Sequence, residues 1–547
     1  MSEQKKPMDD ITCLYCFKHF SHDQVHFRIR TVFAPEQFDD PAPGEQRFYS
    51  MDELKSAMLP AKELQRRSEI FQMRQAMSER DDEKYMTFWN QMGGTTENDT
   101  ITVGSKEHSR SIQAYQLPVF DPGDPRQKRF FEPHPLRRNA NGFVYGAVDA
   151  EHTETTFRVC PYCHNPLPGI YGYYPVRFIS VIGITGAGKT VYLSQLCKYI
   201  QDQFAQYGVS VTPTSAYANK YMKDNPVTMG TPLPAGTAPE TLLQPLCFDV
   251  TYSTDNGGKM TQTLVFYDIA GENCMVGSDG VLGAGAMRFG PFINHSDGIM
   301  LVIPPEQITK HAAVGPQESL TVIKTLFGAS PRGVEALNTL PMAVCISQGD
   351  KVERQLLGGP MRDLARVDGP VNGRSLPVFN ATDYNALYEA LDRFVDAHAA
   401  SLSTAMRADY HCSDYFLFSA IGTDVVRKSD AETGGTFYTP AAPVSPKRLV
   451  EPLLWMLTKF QYIGANGFID EINDWFCLKC RRRLHTPEAG GSPICPDCRL
   501  DRAGDWRCPE CGAVHPDADE WCENKASGRK KCNTNRFGEH KKRFGLF

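Results

Sequence analysis

The sequence predicts an α/β protein: a mostly parallel sheet with helices on both faces, flanked by small metal-stapled modules. Three observations point there. An apolar run ends in a glycine-rich turn and a Lys-Thr pair in "VRFISVIGITGAGKT", residues 176–190. Further near-continuous apolar runs alternate with amphipathic stretches up to about residue 465, the pattern of strands buried on both faces. Ten of the seventeen cysteines form CxxC pairs that lie on either side of this region.

Composition bounds the class. A chain of 547 residues with 41% apolar content can bury several full-sized cores. The net charge of −6 gives no global case for nucleic-acid binding. The start "MSEQKKPMDD" has no apolar segment of the secretory kind, and no apolar run reaches the roughly 18 residues of a membrane span. A soluble, cytoplasmic protein is expected.

The first element to justify is the turn. "GITGAGKT", Gly183 to Thr190, fits G-x-x-x-x-G-K-[ST] without a mismatch. Gly183, Gly186 and Gly188, with Ala187 between the last two, let backbone N–H groups turn inward around phosphate oxygens. Lys189 supplies a point charge to the outer phosphates, and the Thr190 hydroxyl supplies a ligand for Mg2+. "VRFISVI" before it reads as a strand and "KTVYLSQLCKYIQDQF" after it as a helix, whose dipole adds to the anion site.

Next comes "TLVFYDIAGE", 263–272, a hydrophobic strand ending in D-x-x-G. Asp268 there can hold Mg2+ through water, and Gly271 can give its N–H to a γ-phosphate. "PLCFDVTYS", 245–253, reads as a strand able to pair with it antiparallel. "DGIMLVIPP" and "PMAVCISQ" are buried strands, and "PQESLTVIKTLFG", "YNALYEALDRFVDAHAA" and "PKRLVEPLLWMLTKFQY" are amphipathic helices.

The order of these motifs, followed by "MAVCISQGDK" (342–351) and "YFLFSAIG" (415–422), resembles the P-loop GTPases of the translation-factor-related (TRAFAC) class. The resemblance implies a P-loop NTPase fold that binds GTP and Mg2+. It further implies that guanine is read by Asp350, at the end of Ser347-Gln348-Gly349-Asp350, and by the backbone of Ala420 after Ser419. Gln348 and Ile421 stand where the family carries lysines, so ATP stays an alternative. A switch I threonine on Mg2+ is also implied; Thr228, Thr231 and Thr237 qualify, and Thr237, nearest the next strand, is preferred. Glu272 occupies the position where many such enzymes orient the attacking water with Gln. Lys189, Thr237 and Glu272 are therefore the expected catalytic residues. No arginine is identifiable as a finger, although Arg288 and Arg332 lie near loops. The segment "ENCMVGSDGVLGAGAMRFG" resembles an extended switch II, and slow hydrolysis accelerated by a partner or by self-assembly is expected.

The cysteines complete the reading. Cys477/Cys480 and Cys495/Cys498 are separated by 14 residues, close to a four-thiolate zinc ribbon. Cys508/Cys511 can close a second site with Cys522 and Cys532; His515 in place of Cys532, or shared ligation between neighbouring pairs, are alternatives. Cys13/Cys16 and Cys160/Cys163 are single knuckles, most economically combined into one ribbon with residues 17–159 inserted between its halves. His19 and His164 are bystanders when four thiolates are available. Four-cysteine shells point to structural Zn2+ rather than chemistry, and such ribbons serve as docking surfaces.

The expected domains are 1–169, a zinc ribbon split by the partly helical insertion; 170–465, the GTPase-like unit; and 466–547, a tandem ribbon region. This arrangement resembles bacterial zinc-ribbon-linked double-GTPase proteins of conflict or defence gene clusters. That implies a protein partner, a second GTPase or an effector, with oligomerisation open. Basic-aromatic runs such as "DPRQKRFFEPHPLRR" can bind nucleic acid, which is not favoured. Two readings remain: a GTP-hydrolysing switch acting through its zinc modules, and a nucleotide-dependent scaffold or nucleic-acid adaptor with little hydrolysis.

Overall fold

The computed structural model describes residues 7–540 except 94–99, 104–109, 126, 128–130, 215–216, 237–243, 254–258, 275–281, 312, 360, 362–365, 372–373, 380, 430–434, 461–473, 477–482, 486–491, 502–503 and 524–531. In the N-terminal part, strands β1 (His26–Arg28), β2 (Val119–Phe120) and β3 (Arg158–Val159) form a three-stranded antiparallel sheet in the order β3-β1-β2. Segments from both ends of the insertion thus meet in one sheet. Between β1 and β2 run helices Met51–Ser56, Ala61–Ala76 and α1 (Glu83–Gln91). Pro60 sits at the N-cap of the second with φ −54°, where a missing N–H costs nothing.

One carboxylate ties this part together. Asp82 caps α1 by accepting from the Lys84 and Tyr85 amides. It also accepts from Arg28 Nη2 at 2.9 Å and lies 2.9 Å from His164 Nδ1. With that Nδ1–H donating to Asp82, His164 Nε2 accepts from His26 Nδ1 across 3.0 Å. Burial pushes the His26 imidazole down to about 4 and lowers His164 as well, so neither carries charge at neutral pH. His164, next to Cys163, is therefore a hydrogen-bonding clamp. Asp82→Ala leaves the buried Arg28 guanidinium without its counter-charge, and a loss of about 3–5 kcal/mol in unfolding free energy is expected. Asp82→Asn, which keeps the cap, should lose less; chemical denaturation of the two variants checks this.

The central unit begins with β4 (Val176–Gly183), α2 (Lys189–Ala205), β5 (Ser210–Pro213), α3 (Tyr217–Asp224), β6 (Leu246–Ser253) and β7 (Lys259–Asp268). It continues with α4 (Ala284–Asn294), β8 (Gly298–Ile303), α5 (Val314–Gly328), β9 (Met342–Ile346), α6 (Ala381–His398) and β10 (Ser413–Leu417). The hairpin β11 (Val425–Ser429) and β12 (Thr436–Pro440) and helix α7 (Glu451–Lys459) follow. Seven strands form one sheet in the order β5-β6-β7-β4-β8-β9-β10. The last five are mutually parallel, and β6 runs antiparallel to both β5 and β7. This is a mixed, mostly parallel α/β sheet.

Register brings the site residues to one edge. Val181 of β4 lies opposite Asp268 of β7, so the Gly183 turn and Asp268 leave the sheet side by side. Side chains alternate between faces. Ile179, Val181, Leu264, Phe266, Met300 and Val302 pack with α2, α3 and α7. Phe178, Ile182, Val265, Tyr267, Ile299 and Leu301 pack with α4, α5 and α6, and with Leu14 and Phe17 of the first cysteine knuckle. The N-terminal part and this face of the sheet share one continuous core. Among the described residues, no helix is long and apolar enough to cross a membrane.

Candidate functional site

The glycine-rich turn is shaped by its neighbours. A Cβ on Gly183 would come within 2.3 Å of the Val302 carbonyl, so only glycine fits at the end of β4. Gly186 and Gly188 take φ of +79° and +84°, the left-handed region that glycine enters without strain. Lys189 begins α2 and folds back over the turn, its Nζ donating to the carbonyls of Gly183 at 2.7 Å and Ile184 at 3.3 Å. Thr190 Oγ1 donates to Asp268 Oδ2 at 3.3 Å. Gly271 lies directly against the turn, where an added Cβ would sit 2.5 Å from Gly183 O and 2.6 Å from Thr185 N.

One residue escaped the sequence reading. Tyr221, on α3 and 2% exposed, donates its hydroxyl to the same Asp268 oxygen at 3.1 Å. Burial first, then the Asp268 charge, raise its pKa, so the hydroxyl stays a donor. The only hint in the sequence is the i,i+4 spacing of Tyr217 and Tyr221 in "YANKYMKD", which marks a buried helix face without naming its partner.

The loops after β9 and β10 also converge on the turn. Ser347 Oγ donates to Ala187 O at 2.9 Å, and Gln348, at φ +51°, reaches Gly186 O with its amide at 3.5 Å. Ser419 Oγ donates to Asp350 Oδ1 at 2.5 Å and accepts from the Gly422 amide at 2.8 Å. Asp350 and the Ser419-Ala420 pair are thus brought together beside the turn.

The remaining predicted residues divide. Thr237 lies outside the described residues, as does the Glu272 side chain; the Glu272 backbone belongs to a 3-10 turn, Gly271–Cys274. Thr228 is exposed and Thr231 half-buried, their hydroxyls 3.0 Å apart in mutual hydrogen bonding. Their segment is tied to the β11–β12 hairpin, through Gly230 N to Thr439 Oγ1 at 2.8 Å and Leu233 N to Tyr438 O at 2.9 Å. Arg332 donates to the carbonyls of Asn294 and Ser296, at 3.0 and 2.6 Å, and so clamps the end of α4. Arg288 lies within α4.

Among the described residues, two cysteine sets could hold a metal. The sulfurs of Cys13, Cys16, Cys160 and Cys163 lie within 4.8 Å of one another, as do those of Cys508, Cys511, Cys522 and Cys532. Backbone amides of Tyr15 and Tyr162 donate to Cys13 and Cys160 Sγ at 3.3 and 3.4 Å, which favours thiolate. In the second set, the Ala513 amide and Cys522 draw the Cys511 thiol down to about 7. His515 instead stacks on Trp506, with ring centroids 4.7 Å apart, so the alternative with His515 as ligand is not the one the fold adopts. Four sulfurs at this spacing fit tetrahedral Zn2+ with no position left for substrate. Cys495 and Cys498 form a knuckle turn, whereas Cys477 and Cys480 lie outside the described residues.

The first set is bolted to the elements around Asp268 and α4. Phe17, directly after Cys16, stacks on His295 with centroids 4.3 Å apart and planes 9° from parallel. Its edges meet Phe178, Tyr267 and Phe292 at 5.7, 6.1 and 5.0 Å. Tyr267 OH donates to Leu14 O at 2.8 Å. Tyr267 is the residue before Asp268, and Phe292 and His295 belong to α4 and its C-cap, the helix that follows D-x-x-G.

No protein-family model matches the chain, and no curated protein matches it significantly. Among solved structures, one similar chain is Era of Aquifex aeolicus bound to GDP and AlF4− (15% identity, 45% of this chain, 52% of that one, TM-score 0.22). Another is sup35 complexed with GDP (13% identity, 45% of this chain, 38% of that one, TM-score 0.20). A third is a protein from Thermus thermophilus (12% identity, 57% of this chain, 44% of that one, TM-score 0.20). The chain thus spans about half or less of the length of each. TM-scores this low leave the fold resting on the strand order and turn geometry above.

Proposed function

We propose that this chain is a Mg2+-dependent GTP-binding switch that hydrolyses GTP and controls assembly with a protein partner through its zinc modules. The observation that supports it most is the meeting of Thr190 and Asp268, from two different elements, beside the left-handed Gly186–Gly188 turn. In this reading the turn's amides and Lys189 hold the phosphates, and Thr190 and Asp268 hold Mg2+, which supplies charge neutralisation when bound. Asp350, Ser419 and Ala420 read the base. Gly271, packed against the turn, presents its amide to the outer phosphate, and Glu272 orients water.

The contacts of Phe17 and Tyr267 give the zinc module a means of sensing that site. Rearrangement after D-x-x-G moves α4, and α4 carries the rings that hold the knuckle. The test is equilibrium binding of fluorescent GTP and ATP analogues to wild type and Asp350→Ala, with turnover followed in parallel. Wild type should prefer GTP by at least about tenfold, the worth of a charged hydrogen-bond pair, and Asp350→Ala should lose that preference. Equal affinity for the two bases in wild type contradicts the guanine reading; binding without turnover favours the scaffold.

A further inference from the structure

Between the first cysteine module and α3 lies a cavity of about 550 Å3, a size typical of small-ligand sites. Its described walls carry three cations, Arg28, Arg30 and Lys220, and no carboxylate, in a chain whose net charge is −6. They also carry tyrosine rings. Tyr85 and Tyr115 stack with centroids 5.3 Å apart and planes 11° from parallel, and Tyr217 faces the cavity from α3. Arg28 is held by Asp82 and by the carbonyls of Tyr115 and Leu117. Arg30 is different: it is exposed, and its side chain makes no ion pair or hydrogen bond among the described residues. Lys220 is exposed too, 3.1 Å from Asp224.

We propose that this cavity binds a nucleoside monophosphate, with its base against the tyrosine rings and its phosphate on Arg30 and Lys220. Aromatic faces take any base by stacking, and a guanidinium fork matches phosphate in a bidentate way. A bare anion leaves the rings unused, and a neutral ring compound leaves Arg30 without a counter-charge. Nothing in this assignment depends on the Lys189 site being a GTP site. The two are nonetheless neighbours through one helix: Tyr217 and Lys220 line the cavity, and Tyr221 holds Asp268.

The experiment is calorimetric titration of AMP into the full-length protein already saturated with GDP and Mg2+. One saturable AMP event is expected, with adenosine and inorganic phosphate each at least about tenfold weaker. Arg30→Ala and Lys220→Ala should each weaken AMP about tenfold, the loss of a charge-assisted contact, while GDP affinity stays at the wild-type level and reports an intact fold. No saturable AMP binding, or AMP affinity unchanged in both variants, overturns the proposal. Failure of GDP to bind, with AMP still bound in an Arg30-dependent way, removes the P-loop reading and leaves this one standing.

Discussion

If the chain hydrolyses GTP as proposed, Lys189→Ala is expected to lower turnover by about two to three orders of magnitude, or ~3–4 kcal/mol of transition-state stabilisation, the scale for removing one preorganised charge from developing negative charge. The side chain is 7% exposed, and its ammonium already lies across the turn on two backbone carbonyls, so the charge is fixed before any ligand arrives. Alanine suits the first turn of a helix, and the strain-free glycines of the turn before it are untouched, so the backbone cradle survives. The variant should therefore fold with wild-type stability and keep weakened nucleotide binding. Single-turnover hydrolysis beside a thermal melt separates the two effects.

With Zn2+ held by the first cysteine set as proposed, its loss should have the largest effect on stability. Structural zinc contributes about 10–16 kcal/mol in small peptide sites, and here Cys13, Leu14, Phe17, Cys160 and Cys163 belong to the same buried cluster as Phe178, Tyr267 and Phe292. Cys160→Ser, or chelation, uncovers that face of the central sheet, so the central unit melts at lower temperature together with the module. Cys522→Ser makes the contrast. Its buried neighbours, Cys495, Leu500, Trp506 and Cys508, form a separate cluster, so the main transition should stay in place while one zinc per chain is lost. Metal analysis with calorimetric melting of both variants checks this; equal shifts in the main transition would contradict the shared core.

The parallel strands and the glycine turn were legible because their signals are local: short apolar runs, a motif of eight residues, and D-x-x-G at a strand end. The antiparallel pairing of β6 with β7 was legible for the same reason. What joins the parts was not. Phe17 meets Tyr267, and Tyr267 meets Leu14, across some 250 residues, and no spacing rule encodes such a contact. His164 looked like a bystander beside Cys163, yet it links Asp82 to His26. Tyr221 was not singled out at all, and it holds Asp268. Thr228 and Thr231 qualified for the metal by sequence, which said nothing of the tie between their loop and the β11–β12 hairpin. No arginine was identifiable as a finger by sequence, and Arg332 donates to carbonyls at the end of α4. Each of these contacts is long-range in sequence.

Mg2+ is proposed to sit between Thr190 and Asp268. Crystals grown with Mn2+ and a non-hydrolysable GTP analogue, measured at the manganese absorption edge, test it directly. One anomalous peak is expected beside Thr190 Oγ1 and the Asp268 carboxylate, with phosphate density inside the Gly186–Gly188 turn. A peak elsewhere, or phosphates bound away from that turn, would contradict it.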